Sequence, residues 1–124
     1  MTKYPKVLKT HDNFQVVVCH YESRLQAKEV EFVLDLNRFQ DVIGIEILNL
    51  KLKVGEACLN RVKENISLVD SDLRYNYDED TDAFYLQIAN EVSTYQMSVL
   101  GKLALNADGE IIKFCAILEP IPET

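Results

Sequence analysis

The sequence predicts an α+β fold of mainly antiparallel strands: two β-meander repeats related by a pseudo-two-fold axis, with one helix connecting them. Apolar residues alternate with polar ones in short runs, which is the period of half-buried strands. Those runs also recur along the chain. Phe14, Val16 and Val18 return as Phe84, Leu86 and Ile88 at an offset of 70, and Val30, Leu34 and Leu36 return as Val99, Leu103 and Leu105 at an offset of 69. Ile43, Ile45 and Ile47 correspond to Ile112, Phe114 and Ala116 at the same offset of 69. The offset changes between the second and third strands, where a loop absorbs one residue; a slip within a strand would turn its apolar set to the wrong face. Between the halves the periodicity becomes helical. A single domain over residues 1–124 is therefore expected, with repeats at approximately 1–50 and 70–119 and a linker helix at approximately 52–66.

The first repeat opens with a short strand near Tyr4 to Lys9, turns through residues 10–13, and continues as Phe14 to His20. A polar connection, Tyr21 to Lys28, leads to a third strand, Val30 to Leu36. Here Val30, Phe32, Leu34 and Leu36 face inward, while Glu31 and Asp35 face water. Residues 37–41 make a hairpin, and the fourth strand is Val42 to Leu48, with Gly44 where a neighbouring group packs close. Leu52, Leu59, Val62 and Ile66 recur at helical spacing and form the stripe that covers the sheet. In the second repeat, residues 74–77 form the first strand, 78–82 a turn and 83–90 the second strand. Asn106-Ala-Asp-Gly109 is a hairpin loop, because Asp-Gly supplies positive φ at low steric cost. Its strands are Met97 to Leu105 and Glu110 to Leu118, and Pro120 and Pro122 end regular pairing.

Composition narrows the functional classes. Thirteen basic against twenty acidic residues give a formal net charge of -7, which repels nucleic acid phosphates and anionic membrane surfaces and favours a basic protein partner. No long apolar stretch marks a signal peptide or a membrane-spanning helix, so a cytoplasmic location is expected. Cys19, Cys58 and Cys115 are odd in number and lack CxxC spacing, which argues for reduced thiols and against a disulfide framework or a zinc knot.

The segment Tyr77-Asp78-Glu-Asp-Thr-Asp82-Ala83-Phe84-Tyr85-Leu86, followed by Asn106-Ala-Asp108-Gly109-Glu-Ile-Ile, resembles a bacterial family of small uncharacterised proteins, domain of unknown function 2283. The family's Gly-Ile-Glu-Ile-Leu ending stands in the first half, within Val42-Ile43-Gly44-Ile45-Glu46-Ile47-Leu48-Asn49. Each half thus keeps a different part of the motif, as two diverged tandem copies would. The second half departs from it at Lys113 to Ala116, and the first lacks the Tyr-Asp turn. Some members of that family are considered candidate antitoxins, so the resemblance implies a binding role.

Candidate chemistry is sparse. Asp78, Asp80 and Asp82 imitate the start of an EF-hand calcium loop, but position six is Ala83, position twelve is Ala89, and a strand follows where a helix is required. The turn reading, in which the Asp side chains accept backbone N–H bonds, is simpler. His11 and His20 flank a hairpin without a third convergent ligand, and Cys19 and His20 point to opposite strand faces. No phosphate loop, nucleophile elbow or paired acid and base is present. Tyr75, Tyr77, Phe84 and Tyr85 lack the interleaved Lys and Arg of a single-strand binder. The reading is a protein-binding or regulatory module without enzyme activity or cofactor, antitoxin-like, engaging a small basic protein through acidic side chains and a strand edge or the helix. It would act as a monomer or homodimer. The alternative is a metal-binding protein or metal-dependent enzyme using the acidic hairpin at 78–82.

Overall fold

A computed structural model describes residues 4–21, 24–69 and 71–118; Pro120 and Pro122 lie outside the described residues. The chain forms β1 (Lys6–Lys9), β2 (Asn13–Val17), β3 (Gln26–Leu36) and β4 (Val42–Leu48), then α1 (Leu50–Val54), a 3-10 turn (Glu56–Leu59) and α2 (Asn60–Ile66). After these come β5 (Arg74–Asp78), β6 (Ala83–Gln87), β7 (Tyr95–Leu105) and β8 (Ile111–Ile117). The fold class is α+β and mainly antiparallel: all eight strands join one sheet in the order β1-β2-β8-β7-β3-β4-β6-β5. No helix of the described residues is long and apolar enough to cross a membrane.

The meander expectation is corrected by that order. β2 pairs with β1 and β8, not with β3, and β6 pairs with β5 and β4, not with β7. Each half contributes two hairpins, and the hairpins of the two halves interleave. The sheet is held together at β3 and β7, which pair over eleven residues from Gln26↔Leu105 to Leu36↔Tyr95. Interleaving satisfies backbone groups that a four-strand half would leave unpaired at its inner edges.

Period-two alternation then fixes the faces. Phe14, Val16, Phe32, Leu34, Ile45, Ile47, Phe84, Leu86, Leu103 and Phe114 all point to the covered side and are buried. Phe84 and Phe114 stack there with ring centroids 5.7 Å apart. Leu50, Cys58, Leu59, Val62 and Ile66 complete that core from the helical layer. The single helix at 52–66 is a second correction. Gly55, at φ 90°, breaks it after one turn, and the phase resets, so Leu50 is buried while Leu52 is 82% exposed. Arg61 ties α2 to the sheet through Glu110, Nε to Oε1 at 3.0 Å.

The β3–β4 and β7–β8 hairpins close by the same bonds. Asn37 Oδ1 accepts from the N–H groups of Phe39 and Asp41, and Asn106 Oδ1 accepts from those of Asp108 and Glu110, at 2.9–3.0 Å. The left-handed position is taken by Gln40 in one (φ 67°) and by Gly109 in the other (φ 80°). Two glycines are required by close approach instead. A Cβ at Gly44 would meet the Tyr85 ring and hydroxyl, and a Cβ at Gly101 would lie 2.5 Å from the Phe32 ring.

Asp35 gives a third correction. It points to the outer face as predicted, yet it is buried, because Ser93 Oγ (3.3 Å) and Gln96 Nε2 (3.0 Å) donate to its Oδ1 and Tyr85 packs beside it. Burial, followed by the charge and hydrogen bond of Asp35, pushes the Tyr85 hydroxyl up to about 12.

Candidate functional site

The acidic hairpin between β5 and β6 is built as a turn. Asp78 Oδ1 accepts from the N–H of Asp80 at 3.0 Å. Asp82 adopts φ 53°, and its carbonyl accepts from the N–H groups of Asn49 (2.8 Å) and Leu50 (3.4 Å). Its carboxylate caps α1 from thirty residues away: Oδ1 accepts from Lys51 N at 2.8 Å and from the Tyr77 hydroxyl at 2.6 Å, and Oδ2 accepts from Leu52 N at 3.1 Å. Desolvation opposes the charge of Asp82, but these three donors outweigh it and hold the carboxyl below its ordinary value. The same hydrogen bond pushes the Tyr77 hydroxyl up to about 12.

Asp78, Asp80 and Asp82 are thus near one another in the chain, but Asp82 spends both oxygens on the chain itself. Among the described residues no group of three or more His, Cys, Asp or Glu side chains is placed to hold a metal ion. His20 lies against Tyr4, with ring centroids 6.2 Å apart, and His11 is exposed in the β1–β2 turn. Millimolar Ca²⁺ is expected to leave the thermal midpoint unchanged, because an ion would have to displace the cap of α1; a rise at constant ionic strength would refute that.

Beside the hairpin, a cleft of ≈ 490 Å³ lies between the helical layer and β5, with Lys51, Glu56, Cys58, Lys63, Tyr77 and Glu79 among its walls. It offers no activated nucleophile. Burial raises the Cys58 thiol above its ordinary range, and the thiol donates to the Gly55 carbonyl at 3.0 Å. Cys19 is raised as well, first by burial, with Glu110 and Glu64 adding to it against Arg61.

The uncovered outer face of the sheet has a different character. At its centre Glu31 stands directly across from Leu100, and Glu29 across from Lys102. Two adjoining depressions of ≈ 370 and ≈ 150 Å³ share Glu31 and Lys53 as walls, the first with Glu29 and Leu100, the second with Val33 and Leu48. Leu48 and Leu100, which wall the two depressions, are 52% and 42% exposed, so large apolar side chains face solvent on both sides of Glu31. Glu29 and Glu31 make no ion pair or side-chain hydrogen bond among the described residues. Periodicity alone could not reveal this face, since Leu100 looks like any apolar strand residue; the signal lay in its parity, which places it opposite Val99 and Gly101.

No family model matches the chain, and neither a curated protein nor a solved structure matches it.

Proposed function

We propose that the chain is a non-enzymatic binding module, antitoxin-like and cytoplasmic, whose outer face engages a small basic protein. One observation carries this reading: the exposed side chains of Leu48 and Leu100 lie beside the Glu31 carboxylate, which has no ion pair among the described residues, on an open sheet face. An apolar anchor ringed by charge is the composition of a protein-binding surface, and a chain of net charge -7 steers a basic partner toward it.

The proposal includes descent from a duplicated unit of the resembling family, now fused into a pseudo-two-fold dimer mimic. The sheet order supports it, since exchanging β1–β4 with β5–β8 reproduces the same order read from the other end. The registers agree as well. Val16↔Phe114 corresponds to Leu86↔Ile45, and the bulge between Asp35 and Leu36 corresponds to that between Ala104 and Leu105. Glu31 and Leu100, which differ by the offset of 69, face each other where the axis would pass. The two halves therefore differ at the very centre of the outer face, as suits a partner without symmetry of its own.

Native purification of the tagged chain from its host, with mass spectrometry, tests this. The expected result is a small basic protein in stoichiometric amount that is released by salt. Leu100→Asp is expected to weaken capture by about tenfold or more, about 1.4 kcal/mol, while the thermal midpoint stays within that of a surface substitution. Recovery of the chain alone at low salt, or capture indifferent to Leu100→Asp and Glu31→Lys, would count against it.

A further inference from the structure

The sheet ends in two edge strands, and they differ in what a second copy would meet. β1 reads Lys6-Val-Leu-Lys9, so antiparallel pairing with another β1 would set Lys6 against Lys9, like charge against like. That is a guarded edge. β5 reads Arg74-Tyr-Asn-Tyr-Asp78, and antiparallel pairing centred on Asn76 sets Arg74 against Asp78, Tyr75 against Tyr77, and Asn76 against itself. We propose that the chain forms a two-fold dimer through β5, joining two eight-stranded sheets edge to edge.

Both faces of that pairing are complementary. On the outer face lie Arg74, Asn76 and Asp78, level with Gln87, Tyr85 and Ala83 of β6. One guanidinium nitrogen of Arg74, Nη1, donates to the carbonyls of Ser71 (2.6 Å) and Leu73 (3.1 Å), which holds the side chain while its other donors meet no acceptor among the described residues. Among the described residues Asp78 accepts only at Oδ1, leaving Oδ2 for the opposite Arg74. Two-fold symmetry makes this ion pair twice.

On the inner face, Tyr75 and Tyr77 stand level with Leu86 and Phe84, and each borders an opening between β5 and the helical layer. The opening beside Tyr75 measures ≈ 310 Å³ and is walled by Ile66 and Val69; the cleft beside Tyr77 measures ≈ 490 Å³ and is walled by Leu59 and Lys63. Alternate side chains of an added strand point into such spaces. A second β5 would bring its Tyr77 alongside the first and its Tyr75 alongside the second, with the Tyr77 hydroxyl still bonded to Asp82 of its own chain. This inference is independent of the outer-face partner, because β5 lies at the sheet margin and Glu31 and Leu100 at its centre.

Sedimentation equilibrium on the full chain across a dilution series tests it. The expected result is reversible conversion of the 14.2 kDa species to one of twice that mass. Arg74→Asp and Asp78→Arg should each raise the dissociation constant by about tenfold or more, and the double variant should restore it to within about threefold, since the pair is remade in reverse. Asn76→Lys should dissociate the dimer by setting two ammonium groups against each other on the axis. That side chain is exposed and unbonded among the described residues, so this variant decides the matter if Arg74→Asp or Asp78→Arg fails to fold. A single-chain mass at every concentration overturns the proposal, as does a dimer indifferent to Asn76→Lys. A folded double variant as weak as its single parents overturns it too.

Discussion

Gly101→Ala is expected to cost about 3 kcal/mol, at the upper end of overpacking effects, and Gly101→Val is expected to leave little folded protein. Gly101 lies on β7 directly across from Val30 and next to Val99, whose own cross-strand partner is Phe32. The Phe32 ring leans over the glycine, so a Cβ there would sit 2.5–2.6 Å from three of its ring carbons. That ring is fully buried on the inner face of the sheet, where native packing density leaves little room for it to move aside. The β7 backbone is held as well, because Gly101 is paired on both sides, with Val30 of β3 and Ala116 of β8. For a chain of this size each kcal/mol moves the midpoint by about 4 °C, so the alanine variant should melt about 12 °C lower. Phe32→Ala should cost about 4 kcal/mol by leaving a cavity. Added to Phe32→Ala, however, Gly101→Ala should cost less than on its own by about 1 kcal/mol or more, because the clash has gone. Urea melts of the two single variants and the double close this cycle. An additive pair would mean that the Phe32 ring does not press on Gly101.

Strands with one buried face were readable because burial writes a period of two into the sequence. β4 has the bounds its alternation indicates, Val42–Leu48, and Gly44 marks the close approach of Tyr85. β3 and β7 reach further than their apolar runs. At Gln26 to Glu29 and at Tyr95 and Gln96 the strands project past the core and both faces meet water, so pairing persists without any pattern to announce it. The break in the helix was hidden because Leu52 fits the stripe at helical spacing; only the φ of Gly55 shifts the phase. Interleaving of the hairpins was not readable either, since alternation gives each strand a face and gives no neighbour. The outer face followed from the same limit. Asp35 is polar at an outward position, and its burial depends on Ser93 and Gln96, about sixty residues away, which no local pattern records. Leu100 became a candidate contact once Glu31 was placed across from it.

Asp82→Ala is expected to destabilise the chain by about 2 kcal/mol, the upper range for loss of a helix cap, and to loosen α1 more than the sheet. Three effects act together. The N–H groups of Lys51 and Leu52 lose their acceptor, the Tyr77 hydroxyl loses its partner, and an alanine is left at φ 53°. Asp82→Asn tolerates that φ and keeps one acceptor oxygen, so it should cost less, about 1 kcal/mol. The pH dependence separates the cap from the turn. Since the folded carboxyl titrates below its ordinary value, the unfolded chain binds the proton more readily. The contribution of Asp82 is therefore fully present above the unfolded carboxyl value of about 4 and fades as pH falls through the lower folded value. The acid limb of the stability curve should be shallower in Asp82→Asn than in the parent chain, with the two curves converging at the lowest pH. Tyr77 acts at the other end: its hydroxyl, held at about 12 when folded, contributes stability that is whole below its ordinary value and is lost as pH rises through the folded one. Tyr77→Phe should flatten the alkaline limb and leave the Asp82 carboxylate bonded only to the Lys51 and Leu52 N–H groups, with α1 still capped. Amide exchange at Lys51 and Leu52 reads the local effect directly. Protection lost there in Asp82→Ala, with β4 and β6 still protected, is the expected signature; protection retained at both amides would show that α1 is held by the burial of Leu50 and not by its cap.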